Sequence, residues 1–87
     1  MSPPQFTHAD LRQILIDRIG LAESDIPDNP ETAFVDVGLD SLAVVEVQLA
    51  VQQRYGFAIP DEDAGATTTF AEAVDYVNAR LIAMEVA

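Results

Sequence analysis

The sequence predicts an all-α fold: a small bundle of three main helices and one short one, with a long loop between helices one and two. Three observations carry this expectation. Two segments open with a threonine capping box, a third opens at an aspartate cap, and the connection from 20 to 40 holds prolines and Asx residues with no sustained hydrophobic period. A chain of 87 residues suits one domain, spanning 1–87 with 1–6 and 85–87 expected as flexible ends. Its unfolded surface is only around 60% buried on folding, so it builds a single core.

The first helix is expected over about 8 to 19. Thr7 caps it, Asp10 reaches back, and Phe6 and Leu11 occupy the two positions of a hydrophobic staple. Leu11, Ile14, Leu15 and Ile19 form its apolar stripe, and Gly20 is its stop. Leu21, Ile26, Phe34, Val37 and Leu39 are the expected pins of the long connection.

Asp40 caps the second helix, expected from 41 to 55 and closed by Gly56. At 100° per residue, Val44, Val47, Val51 and Tyr55 fall on one side. Leu42, Val45 and Leu49 fall on nearly the opposite side. One core cannot take both stripes, so one packs inward and the other is left as a candidate docking surface with Glu46 and Gln53 on its border; the alternative for Leu42, Val45 and Leu49 is cover by the long loop or the short helix. Pro60 followed by Asp61, Glu62 and Asp63 suits the first turn of a short helix. Thr69 then caps the last helix with Glu72, and Phe70, Val74, Val77, Leu81 and Met84 form its stripe to roughly 84. Tyr55, Phe57 and Phe70 are expected to serve packing.

About half of the residues are apolar, while 15 acids oppose 4 bases for a net charge of −11. The apolar share excludes a disordered acidic tail. The charge repels phosphate backbones and anionic headgroups, so the expected partner is a protein with a basic patch, not nucleic acid or membrane. The absence of cysteine excludes a disulfide, a thiolate metal site and a nucleophilic thiol. The first residues lack the basic start and apolar run of a signal peptide, and no stretch approaches a membrane span, which points to a cytoplasmic protein.

The chemistry concentrates in Phe34-Val35-Asp36-Val37-Gly38-Leu39-Asp40-Ser41-Leu42. A serine follows a glycine and an acidic cap at the first turn of a helix, where free N–H groups and the positive helix end suit an attached phosphate. Taken alone, an Asp-Ser pair is more often a plain helix start. Gly38-Leu39-Asp40-Ser41-Leu42, preceded by Phe34 and Asp36, resembles the attachment motif of acyl carrier proteins. The resemblance continues through Tyr55-Gly56, Ile59-Pro60-Asp61-Glu62 and the threonine-capped last helix, and so covers nearly the whole chain.

The resemblance implies that Ser41 bears 4'-phosphopantetheine, donated by coenzyme A through a Mg²⁺-dependent phosphopantetheinyl transferase. The arm ends in a thiol, which fits a chain without cysteine. Ser41 is then an attachment point and no residue is catalytic. Gly38, Leu39, Asp40 and Leu42 complete the motif; Asp40 would position metal and phosphate during the transfer. Leu42, Val45, Glu46 and Leu49 match the family's docking helix. The implied partners are ketosynthase and chain-length factor, acyltransferase and tailoring enzymes with basic docking patches, met by a monomer.

Where fatty-acid carriers present further carboxylates, Ala43, Gln48, Gln52, Gln53 and Arg54 stand here. Ser41-Leu42-Ala43 and Arg54-Tyr55-Gly56 look more like carriers of type II (aromatic) polyketide synthases, although Leu39 replaces a tyrosine often found in them. Carriage in fatty-acid or peptide synthesis is the nearest alternative. An acidic helical adaptor without a prosthetic group is the alternative of another class, and it would have no need of Ser41. A serine hydrolase is disfavoured because the single histidine, His8, lies in the first turn of helix one, where solvation is expected, and no nucleophile elbow exists. Asp36, Asp40 and the Asp61-Glu62-Asp63 cluster do not match an EF-hand, so any divalent-ion binding is expected to be weak and structural, and no residue is assigned as a metal ligand.

Overall fold

The computed structural model describes residues 5–60, 63 and 68–86. It is an all-α bundle of α1 (His8–Ile14), α2 (Ser41–Tyr55) and α3 (Phe70–Val86). The expected short helix at 61–64 lies outside the described residues, apart from Asp63.

Thr7 starts α1 in extended conformation, with its hydroxyl accepting the Asp10 N–H at 3.1 Å and its own N–H donating to the Asp10 carboxylate at 3.0 Å. Phe6 and Leu11 are both fully buried, as a staple requires. Phe6 also donates its N–H to Asn78 Oδ1 at 2.7 Å and accepts from Asn78 Nδ2 at 2.9 Å. Phe6, placed by the sequence within a flexible end, is instead held by both the core and α3. The helix does not remain regular to 19: residues Leu15–Ile19 widen into a π-turn, closed by left-handed Gly20. Gly20 and Leu21 both donate to the Leu15 carbonyl, at 3.0 and 3.2 Å.

The long connection is ordered by two short 3-10 turns, Glu23–Asp25 and Phe34–Val37, neither of which shows a sequence period. All five expected pins reach the core: Ile26, Phe34 and Leu39 are buried, and Leu21 and Val37 pack against it. Arg12 clamps the loop from α1, donating to the Ile26 carbonyl at 3.2 Å and to Asp28 at 2.8 Å. His8 is not solvated, contrary to expectation. It is half-buried, its Nε2 lies 3.4 Å from the Pro27 carbonyl, and its ring lies 5.4 Å from that of Phe70 at a tilt of 32°. The loop brings the Pro27 carbonyl beside the His8 ring at the start of α1 and so covers that side chain in part.

The loop also completes α3. The first N–H groups of a helix have no partner within it. Here the Phe70 N–H donates to the Thr32 carbonyl at 3.1 Å and the Ala71 N–H to the Pro30 carbonyl at 2.7 Å, while Phe34 N–H returns to Thr68 at 2.9 Å. The Thr69–Glu72 capping box forms as expected, with both bonds at 3.1 Å. Phe70, Val77 and Leu81 are buried, but Ala73 takes the remaining core position; Val74 is half-buried and Met84 is 46% exposed. At its far end α3 outruns the bundle, and it includes residues 85 and 86 of the end expected to be flexible.

The two stripes of α2 separate as the helical period requires. Val47, Ala50 and Val51 are buried, with Val44 and Tyr55 packed against the core. Tyr55, Phe57 and Phe70 pack as expected, Tyr55 meeting Phe6 edge-on at 6.0 Å.

Candidate functional site

Four residues place Ser41. Phe34 anchors the 3-10 turn in the core, and Gly38 ends that turn at φ 84°, a left-handed conformation that side chains resist. Leu39 then inserts into the core at 5% exposure, and Asp40 returns to an extended backbone. With Leu39 facing inward, Asp40 and Ser41 face solvent. The Asp40 carboxylate accepts the Ala43 N–H at 2.8 Å, and its carbonyl accepts the Val44 N–H at 3.0 Å. The N–H groups of Ser41 and Leu42 precede the helical ladder, beside the Ser41 hydroxyl and at the positive end of α2.

The expected docking residues share one exposed surface. Leu42 is 74% exposed, Val45 46% and Leu49 44%, and Glu46 is exposed among them. Val35, on the 3-10 turn, is also 74% exposed, a position that the sequence did not distinguish because its turn has no period. The motif residues thus divide: Leu39 is a core pin, Gly38 a hinge in the backbone, and Asp40, Ser41 and Leu42 are presented to solvent.

Beside Ser41 opens a cleft of about 400 Å³, between α2 and the long loop. Ala33, Phe34, Val35, Leu39, Val44 and Val45 give it mainly hydrocarbon walls, and Asp40 and Ser41 stand at its lining. No sequence pattern announces this cleft, because its two sides are joined only by the docking of the loop. Among the described residues, no group of acidic or histidine side chains is arranged to hold a metal ion. No helix among them is long and apolar enough to cross a membrane.

The site fits a phosphodiester-linked arm. An exposed hydroxyl sits at a helix start with free N–H groups, and an apolar cleft runs from the same point. What the fold and site define is a small acidic body that presents an exposed serine hydroxyl at a helix start, beside an apolar cleft. Residues 9–77 match the phosphopantetheine attachment site family. The chain is 33% identical to the 3,5-dioxohexyl acyl carrier protein (a triketide mimic) from the actinorhodin polyketide synthase of Streptomyces coelicolor, with TM-score 0.80 over 94% of this chain and 98% of that one. The apo form of the actinorhodin carrier matches at 36% identity and TM-score 0.80, covering 91% and 94% of the two chains. The holo form matches at 32% identity and TM-score 0.76, covering 94% and 98%. The chain belongs to the acyl carrier protein family, whose members are non-catalytic and bear phosphopantetheine, and it is like the carriers of type II polyketide synthases.

Proposed function

We propose that Ser41 is the attachment point of 4'-phosphopantetheine and that the protein carries growing polyketide chains between the enzymes of a dissociated synthase. The observation that carries this reading is the placement of the Ser41 hydroxyl: exposed, at the first position of α2, and held there by buried Leu39 and capping Asp40. In the transfer from coenzyme A, Ser41 Oγ forms a bond to the β-phosphorus of the donor as the bond to 3',5'-ADP breaks, and the hydroxyl proton leaves to a base on the transferase. Once bound, the group supplies a thiol that holds acyl chains as thioesters. Everything else is positioning by this chain. Asp40 fixes the first turn, the N–H groups of Ser41 and Leu42 at the helix start would be available to the phosphate, and the cleft would offer the tethered chain an apolar berth.

Leu42, Val45 and Leu49, with Glu46 and Val35, form the surface that meets basic patches on synthase enzymes. Surface charge pairing mainly raises encounter rate and specificity, so such contacts are brief and salt-sensitive. The resemblance to the actinorhodin carrier favours polyketide over fatty-acid cargo, as do Ala43 and Gln48 in place of acids on α2.

The test is mass spectrometry after incubation with coenzyme A, Mg²⁺ and a broad-specificity phosphopantetheinyl transferase. The wild-type chain gains one phosphopantetheine mass and Ser41→Ala gains none. Because Ser41 is exposed, the variant keeps its helicity and its stability within about 0.5 kcal/mol. An unmodified wild-type chain would favour the adaptor.

A further inference from the structure

A second space lies deeper than the cleft. It measures about 20 Å³ against about 400 Å³ for the cleft, room for a water molecule and for no alkyl chain. The two have Phe34 and Val44 in common, and the inner one extends past Val51 and Val77 to Ile59 and Tyr76. Two side-chain bonds fasten the chain that follows α2 to the helices. Ile59 donates its N–H to Gln52 Oε1 of α2 at 2.9 Å, and the Tyr76 hydroxyl of α3 donates to Asp63 Oδ2 at 2.7 Å. Asp63 donates its own N–H to the Pro60 carbonyl at 2.9 Å, which ties this grip to the residue after Ile59. Burial first, and then the bond to Asp63, raise the Tyr76 hydroxyl above its ordinary value of 10.0, so it keeps the proton it donates.

We propose that Tyr76 limits the length of chain the protein shelters: its bond to Asp63 keeps the inner space shut, so a tethered chain longer than the cleft leaves its far end exposed to partner enzymes. The inference rests on the reading of Ser41 as attachment point and of the cleft as berth, and adds to that reading a limit and the residue that imposes it. Burying methylenes favours deeper entry. The inner walls on α2 and α3 belong to continuous helices, whereas the wall at Ile59 is fastened by side-chain bonds and is the one that can yield. Opening it costs the bond between Tyr76 and a carboxylate, a stronger kind than one between neutral groups. Loss of one such half-exposed bond corresponds to roughly two- to tenfold in the population of the opened form.

The experiment uses the full chain charged on Ser41 with butyl or octyl groups through a non-hydrolysable phosphopantetheine linkage, in wild type, Tyr76→Phe, Asp63→Ala and the double variant. Loading is verified by mass. NMR then reads Val35 and Val44 for the cleft, and Val51 and Val77 for the inner space, each relative to the uncharged arm. In wild type both groups displace the cleft signals and neither displaces the inner ones. In Tyr76→Phe the octyl group displaces the inner signals, its deep population raised roughly two- to tenfold, and the butyl group does not. Asp63→Ala does the same, and the double variant does no more than either, since all three remove one bond. Inner signals that move alike for butyl and octyl indicate a loosened fold and overturn the proposal. So do octyl signals that are the same in wild type and both single variants, or effects that add in the double variant. If neither group moves a cleft signal, the berth fails and this inference with it, while the attachment reading stands. Failure to load at Ser41 overturns the attachment reading itself.

Discussion

The Asp40 carboxylate accepts the Ala43 N–H at 2.8 Å, so the side chain next to Ser41 in sequence closes the turn on which Ser41 stands. Its oxygen can do this only while Leu39 is sunk in the core and Asp40 is extended. Local and tertiary structure therefore agree on where the hydroxyl points.

Loss of this cap has a separable signature. Asp40→Ala should lower unfolding free energy by about 1 kcal/mol, the usual value of an N-cap, and Asp40→Asn should recover most of it. If Asp40 also positions metal and phosphate during transfer, Asn will fold like wild type and still be modified more slowly. Denaturant unfolding and transferase kinetics, run on both variants, read the two effects apart. Equal rates for Asn and wild type would reduce Asp40 to a cap.

The docking surface predicts a salt-dependent defect. Glu46→Arg should slow acyl loading by the cognate synthase at low ionic strength and leave stability within about 0.5 kcal/mol, because the residue is exposed. Above about 0.5 M salt the two proteins should converge, since screening then acts within a few ångströms. Unchanged loading at low salt would place docking elsewhere.

Acid should remove a defined contribution at α3. The Thr68 hydroxyl, the Thr68 N–H and the Thr69 N–H all donate to Glu72, and these bonds hold its carboxyl below its ordinary value of 4.5. A depressed folded value means that the ionised form is the one stabilised. The contribution is complete above pH 4.5 and is lost as pH falls through the lower folded value. Wild type should therefore exceed Glu72→Gln in stability near neutrality, with the gap shrinking in acid. A gap that stays constant from pH 7 to pH 2.5 would contradict the assignment.

Charge predicts the response to salt. With a formal charge of −11 on 87 residues, the folded chain repels itself. Among the described residues the ion pairs are those of Arg12 with the exposed Glu23 and Asp28, and of Arg54 with the partly exposed Asp10. Such pairs contribute little. Melting temperature should rise with added salt or divalent cations, and indifference to both would refute the repulsion account.

Helix positions were legible because they follow from caps and periods that lie within a few residues of one another. Thr7 with Asp10, Asp40 with Ala43, and Thr69 with Glu72 are all local, and so is the division of α2 into two stripes. The hydroxyl of Ser41 was legible for the same reason. What escaped depends on docking between distant segments. His8 looked solvated until Pro27 was laid across it, and Met84 continued the α3 stripe on paper while the bundle ended beneath it. The π-turn at Leu15–Ile19, the cleft and the inclusion of Val35 in the exposed surface belong to the same group.

Because carbonyls at Pro30 and Thr32 satisfy the opening donors of α3, the last helix borrows its beginning from a segment some forty residues earlier. Cutting the backbone near Asn29 would therefore fray a distant terminus as well as the nicked strand. The same two bonds protect the Phe70 and Ala71 amides in the intact chain, so their deuterium uptake should report on the docking of the segment that leads into the cleft wall at Ala33, Phe34 and Val35.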